Sequence, residues 1–297
     1  MNGNQDAAAV LQKETYLLGR HFKESARLHL QHWLWKSQTG WNIHPSINIP
    51  STLGEGETYR IADQGAGNCA WILEVADELP SGIKPHTKLY GFDVSLANFP
   101  AADNCSPEVH FAQLNAFDDV PENLTGIFDI VHIRVFSAVV RNNDSSPLIK
   151  NAARMLKPGG WLQWDEFNSA SFKAISPNAG VSSKWAQKMT EVMMKNANVL
   201  TFNPSWIANL DQQFKENGFE NVQFDKTTWA PKLRKPITDD MLMMTESVVV
   251  LTKRDGKLIG TEENFDEIWA HALEEISKGV SLTMDPVVCV GQKPACG

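Results

Sequence analysis

Two aspartates and two glycines stand at spacings that suit a small polar ligand. Asp63, Gly65 and Gly67 fall close together, and Asp93 follows one strand later. Glycines two apart let the chain turn sharply and bring its backbone near a ligand. A carboxylate just before them suits a cationic amino group and repels the pyrophosphate of a dinucleotide. An acid at Asp93 sits where it can accept both hydroxyl hydrogen bonds of a ribose lying across the turn. Gly65-x-Gly67-x-x-Ala70 alone also satisfies a dinucleotide fold, so these residues say nucleoside without saying which one. Further on, His132 and Arg134 alternate near the end of an apolar run, where ligands of open α/β sheets bind. Two large polar groups there need partners; a chance surface pair is the other account. Trp164, Asp165 and Glu166 close the next apolar run. Either carboxylate could take a proton or fix a substrate, and a solvated strand end remains equally open.

The elements that position these groups are legible around them. Tyr59, Ile61 and Ala62 carry a strand into Asp63, and Asn68 can cap a helix with Trp71, Ile72, Val75, Ala76 and Leu79 at helical period. Pro80, Ser81 and Gly82 end that helix, and Lys88 to Phe92 is the second strand. Strands follow at 108–114 and 126–135, the latter a near-continuous apolar run as in a buried parallel strand. The pattern then predicts a helix over 145–156, a turn at Lys157-Pro158-Gly159-Gly160 and a strand over 161–164. This βαβ alternation predicts a parallel sheet with helices on both faces. Ahead of it, Thr15 to about Lys36 reads as a helix with an apolar stripe through Tyr16, Leu17, Phe22, Ala26, Leu30, Trp33 and Leu34. No strand precedes that helix, so it lies outside the sheet, and Arg27, His29, Gln31, His32 and Trp35 suit a cap over a pocket or an ordinary surface. After the core come a Met-rich helical stretch at 182–200, a helix at 203–218, a strand at 221–230, helices near 238–251 and 262–278, and a strand at 286–291. The expected organisation is one domain over 1–297. It comprises a helical cap (1–50), a ligand-binding core (51–170), a helical lid insertion (171–220) and C-terminal strands and helices (221–297).

The chain has 297 residues, 42% of them hydrophobic, and a net charge of −8. The acidic balance argues against nucleic acid as a partner. No apolar run approaches a membrane span, and the first ten residues lack the features of a signal peptide, so the expectation is a cytosolic protein acting on a small molecule. Whether it forms a homodimer stays open. Four scattered cysteines indicate neither zinc nor a disulfide framework. His21, His29 and His32 have no acidic or cysteine neighbour to complete a metal site, so none is expected.

Taken in order, IADQGAGNCAW at 61–71, GFDVSLANFP at 91–100, FDIVHIRVF at 128–136 and LKPGGWLQWDE at 156–166 are similar to the class I S-adenosylmethionine-dependent methyltransferases, in particular a fungal group tied to small-molecule biosynthesis. The resemblance covers most of the chain. It departs from the family's D-x-G-x-G-x-G pattern at Cys69, which replaces the third glycine. It implies a Rossmann-like, seven-stranded, mostly parallel sheet with an antiparallel last strand, and S-adenosylmethionine as cofactor. It also implies that Asp63 and the Gly65–Gly67 backbone hold the cofactor's aminoacid end, Asp93 the ribose, and Asn115 and Ala116 the adenine, with Phe117 beside the ring. Arg27 suits the cofactor carboxylate as a planar fixed cation, with Tyr16 nearby. Methyl transfer needs alignment and dryness more than acid–base chemistry. If a hydroxyl is methylated, His132 is the first candidate base and Glu166 the second. His132 also borders the cofactor, His32 and Arg134 face the substrate, and Trp33, Phe136 and Trp164 offer an apolar wall. The competing class is a protein of this fold that rearranges a metabolite or regulates a partner without methylating; a nicotinamide oxidoreductase is third.

Overall fold

A computed structural model describes residues 22–140, 142–199, 204–254 and 265–295. Tyr16 and the first part of the expected N-terminal helix lie outside the described residues. Seven strands, β1 (Tyr59–Gln64), β2 (Thr87–Asp93), β3 (Val109–Gln113), β4 (Phe128–Arg134), β5 (Leu156–Ile175), β6 (Glu220–Lys226) and β7 (Ser281–Gln292), form one sheet in the order β3-β2-β1-β4-β5-β7-β6. β1 pairs in parallel with β2 and β4, β2 with β3, and β4 with β5, whereas β7 runs antiparallel to both β5 and β6. The mostly parallel sheet with a reversed last strand is therefore the architecture that forms. The chain moves outward from β1 to β3, then returns to place β4 on the other side of β1. That reversal opens a crevice between the carboxyl ends of β1 and β4, where open α/β sheets take their ligands.

Helices cover both faces, as the apolar runs of the central strands require. They are α1 (Phe22–Thr39), α2 (Ala70–Glu78), α3 (Ser146–Met155), α4 (Lys184–Val199), α5 (Leu210–Glu216), α6 (Arg234–Arg254) and α7 (Phe265–Ser277). One core joins Leu34 and Trp35 of α1, Trp71, Ile72 and Val75 of α2, and buried residues of α4, α6 and α7 to Ile61, Leu89 and Ile130 of the sheet. The other joins Leu148, Ile149 and Ala152 of α3 and Leu210 and Phe214 of α5 to Val131, Ile133, Leu162 and Trp164. Each fully buried Leu, Ile or Phe in these layers stabilises the fold by roughly 1.5–3 kcal/mol.

Two local structures differ from the sequence reading. The strand expected at 161–164 is the middle of a much longer β5, and Lys157–Gly160 is a bulge in it: Phe128 faces Leu156 while Ile130 faces Trp161. Gly159 takes φ +81°, and the bulge is fastened to β7's exit by Gly159 N–H to Lys293 O at 3.0 Å and Lys293 N–H to Gly160 O at 2.8 Å. The lid expected over 171–220 also changes. Residues 171–175 are strand, and α5 packs Leu210 and Phe214 against the sheet, so the helical cover on the site's face comes from α1, α4, α6 and α7.

Candidate active site

The glycine turn is built by backbone bonds that only its sequence permits. Gly65 and Ala66 both donate to Phe92 O, at 2.7 and 2.8 Å, which joins the turn to the end of β2. Gly65 and Gly67 take φ values of +75° and +60°, left-handed backbone that favours glycine. A Cβ at Gly65 would sit 2.2 Å from the Phe136 ring, and one at Gly67 3.1 Å from Leu28 of α1. The Asp93 carboxylate is aimed across the turn by Gly67 N–H on Oδ2 and Ser95 N–H on Oδ1, both at 3.0 Å. Cys69, at the start of α2, also takes a left-handed φ of 65° without a glycine's freedom, and its burial pushes the thiol pKa well up. The expected cap, Asn68, sits one residue earlier; its Oδ1 accepts from Ala70 N–H at 3.2 Å and its amide donates to Ser25 O of α1 at 3.1 Å.

Beside the turn, and under α1, runs a chain of charged groups. Asp63 Oδ1 lies 2.8 Å from His132 Nδ1, and His132 Nε2 lies 3.1 Å from Asp165 Oδ2. The same Asp165 oxygen accepts from Arg134 Nε at 3.0 Å and Nη2 at 2.6 Å. Arg134 Nη1 donates to His32 Nδ1 at 3.1 Å, and His32 Nε2 donates to Glu74 Oε2 of α2 at 2.6 Å. Since arginine keeps its protons, His32 must be the neutral tautomer with its proton on Nε2. Burial, followed by the Arg134 charge, lowers the His32 pKa to about 4. Burial alone would raise Asp165, but Arg134 and His132 win and hold it at about 2. Trp71 lies flat on His132, centroids 3.7 Å apart and planes 8° from parallel. His132, Asp63 and Asp165 are almost wholly buried, an arrangement tolerated only because each charge has a partner.

Alternation along β5 sorts the neighbouring residues. Asp165 shares a face with Gln163 and points into the charged chain, whereas Trp164 and Glu166 point to the opposite face. Glu166 is therefore not beside the turn as a second base. It accepts from the Phe136, Ser137 and Phe167 amides at 2.8, 3.0 and 3.0 Å, and burial raises its pKa to about 7 against those donors. Its task is to hold the loop after β4, where Val135 adopts φ 53°, a strained value for a β-branched residue, and which seats Phe136 on Gly65. Trp164 is not a substrate wall: it is fully buried among Phe136 and Trp206. Trp33 is not one either, being half exposed on the outer side of α1. Arg27 is turned away from the turn into a buried ion pair with Glu24 and Asp240. The Asn115 side chain is spent on its own turn, donating to Asp118 at 2.9 Å and accepting from Phe117 N–H at 3.2 Å, so only backbone and the exposed Phe117 remain there for a ring. His32, Asp63, Gly65, Gly67, His132 and Arg134 do meet, lining one cavity of about 60 Å³ with Leu28, Gln31 and Trp71. That volume is about two waters' worth. The sequence offers Asp165 as one of two carboxylates; the structure brings it beside the turn together with Trp71 and Glu74, which the sequence reading does not single out for the site. Among the described residues, no group of three or more His, Cys, Asp or Glu could hold a metal ion, and no helix is long and apolar enough to cross a membrane.

Comparison with known proteins decides what this geometry belongs to. The chain is similar to methyltransferase psoC of Aspergillus fumigatus, 31% identical over 244 residues that cover 79% of this chain and 82% of the relative. The chain belongs to the class I S-adenosylmethionine-dependent methyltransferases. Methyltransferase grgD of a Penicillium species is similar along nearly the whole length, 27% identical over 95% of this chain and 98% of the relative. N-methyltransferase tcpN of Claviceps purpurea is 31% identical over half of each chain. Among solved structures, this methyltransferase shares its fold with phosphoethanolamine N-methyltransferase 2 of Haemonchus contortus, with a TM-score of 0.52 and 16% identity over 94% of this chain and 60% of that one. No protein-family model matches the chain.

Proposed function

We propose that this methyltransferase transfers the methyl group of S-adenosylmethionine to a nitrogen of a small molecule. The residues present fit the cofactor. Asp63 offers an anion for its amino group, the Gly65–Gly67 backbone approaches closely enough to hold its aminoacid end, and Asp93 is aimed for a ribose diol. The backbone of Ala116, with Phe117, is left for the adenine. The cofactor supplies an electrophilic methyl on a sulfonium; the chain's own residues orient the partners and keep out water. α1 does the latter by laying Leu28, Gln31 and His32 over the turn.

The observation that carries the nitrogen reading is the clamping of His132. Both its ring nitrogens face carboxylates, so the ring cannot accept a proton from an acceptor without breaking one of those contacts. His32 is also engaged at both nitrogens, and Glu166 is on the other face. A hydroxyl needs a base to become a good nucleophile, whereas a neutral amine attacks with a lone pair it already has. The N-methyltransferase name of tcpN points the same way. His132 is thus a positioning group for Asp63 and Asp165. The test is incubation with trideuteromethyl-labelled cofactor and a metabolite extract, with fragmentation of the labelled products. The expected label sits on nitrogen and is lost with Asp93→Ala, whose missing carboxylate weakens cofactor binding by about 2 kcal/mol or more. Label on oxygen or carbon, or none in any product, overturns the proposal.

A further inference from the structure

The glycine turn has few donors left for an anion. Among the backbone amides of residues 65–70, those of Gly65 and Ala66 donate to Phe92 O, Gly67 to Asp93 Oδ2, Cys69 to Ala66 O and Ala70 to Asn68 Oδ1. Arg27, the cation the sequence offers for a cofactor carboxylate, is turned away into its own ion pairs. An α-amino acid head carries an ammonium and a carboxylate side by side, and its carboxylate must find donors elsewhere.

Arg134 has them. Its side chain lines the cavity beside the turn, as does that of Asp63. Nε and Nη2 donate to Asp165 Oδ2 and Nη1 donates to His32 Nδ1. These bonds use three of a guanidinium's five N–H groups and leave two without an acceptor among the described residues. The guanidinium lies over the Trp35 ring at 5.3 Å and the side chain is 12% exposed, so it is held in place without being sealed off. Asp63 pairs in register with His132, and Arg134 stands two residues further along β4 on the same face. The anion and the cation are thus offset by roughly 6–7 Å along the strand, a span that the ammonium and carboxylate of one α-carbon bridge when each is hydrogen-bonded.

We infer that Arg134 binds the carboxylate of the cofactor's aminoacid end while Asp63 takes its ammonium, so that the pair selects an α-amino acid zwitterion. The contact is a charge-assisted hydrogen bond, and no covalent bond changes. Arg134 then serves the cofactor and not the substrate, for which the sequence suggests it. His32 and Asp165 are positioning residues: by accepting from opposite ends of the guanidinium they fix its plane. The inference rests on the cofactor lying across the glycine turn, and it names the residue that reads the carboxylate there.

The test is calorimetry on the full chain with two ligands, S-adenosylhomocysteine and its decarboxylated analogue, which keeps the amine and has hydrogen in place of the carboxylate. The wild type is expected to bind S-adenosylhomocysteine about tenfold or more tighter than the analogue. Arg134→Gln should lose about tenfold or more for S-adenosylhomocysteine and keep its affinity for the analogue, which also shows that the variant is folded. Arg134→Lys keeps a charge beside Asp165 but lacks the planar fork, so it should keep only part of the preference. Asp93→Ala should weaken both ligands alike and leave the preference intact. Equal affinities in the wild type overturn the anchor. So does an undiminished preference in Arg134→Gln or, if that variant does not melt cooperatively, in Arg134→Lys. A preference that needs Arg134, with both affinities unchanged in Asp93→Ala, would instead overturn the placement of the ribose and leave the anchor standing.

Discussion

Strands β1 and β4 carry charges at both ends, and the two ends are built on opposite terms. At the amino end, Lys157 meets both oxygens of Asp129 at 2.8 Å beside Arg60, around a hollow of about 250 Å³, and both partners of the pair are partly open to water. At the carboxyl end, Asp63, His132, Asp165 and Arg134 are packed under α1 around a much smaller cavity, three of them almost wholly buried. The larger hollow holds charges that water already screens; the smaller one holds charges that fold and lid have desolvated. Size does not mark the end we propose as the site. Charges removed from water and then fully partnered do, because such an arrangement costs stability and strengthens every electrostatic contact inside it.

Removing the centre of the buried network should have the largest effect. Asp165 accepts from both Arg134 and His132, so Asp165→Ala leaves a guanidinium and an imidazole without their carboxylate and should cost about 3–5 kcal/mol, read by urea denaturation. His32 should contribute less, and with a known sign. Its proton is taken up near pH 6.5 in the unfolded chain and only at about 4 in the folded one, so its contribution is complete above pH 6.5 and lost as pH falls towards 4. It is on the order of 2–3 kcal/mol. Glu166 and Asp240, both with raised pKa values, lose stabilising effect as pH rises through the same region. The readout is therefore the difference between wild type and His32→Asn across pH 4–6.5, where the variant should show the shallower gain with rising pH. At the amino end, Lys157→Ala breaks a half-exposed pair and should cost about 1 kcal/mol or less. A loss there as large as that of Asp165→Ala would erase the distinction between the two ends.

Much of this site is legible along the chain, and what is not depends on register and rotation. The glycine turn, Asp93, and the polar pair His132 and Arg134 are visible because they interrupt otherwise apolar runs. Asp165 stands between Trp164 and Glu166, and only the pairing of Arg134 with Asp165 across β4 and β5 shows which of the three faces the turn; a slip of one residue would have brought in the other two. α1 is instructive in another way. Its inner stripe is Glu24, Arg27, Gln31, Leu34 and Trp35, spaced as a helix face should be but half polar, because Glu24 and Arg27 pair with Asp240 of α6 and Gln31 lines the cavity over the turn. An apolar-stripe rule places Phe22 and Trp33 inside, and both are outside. The bulge at Lys157–Gly160 reads as a turn for the same reason: glycine announces a bend but not whether the strand resumes. The family resemblance supplied the cofactor and the reversed last strand, which no local pattern announces.

The central claim is that the carboxyl end of β1 and β4, closed by α1, is where cofactor binds. Hydrogen exchange of the full chain with and without S-adenosylhomocysteine tests it directly. Slower exchange on binding is predicted for amides of α1 between residues 25 and 35 and of the turn at 63–70, with no change around 57–60 and 157–160. Protection confined to the amino end, or an α1 whose exchange does not respond to the ligand, would contradict the account.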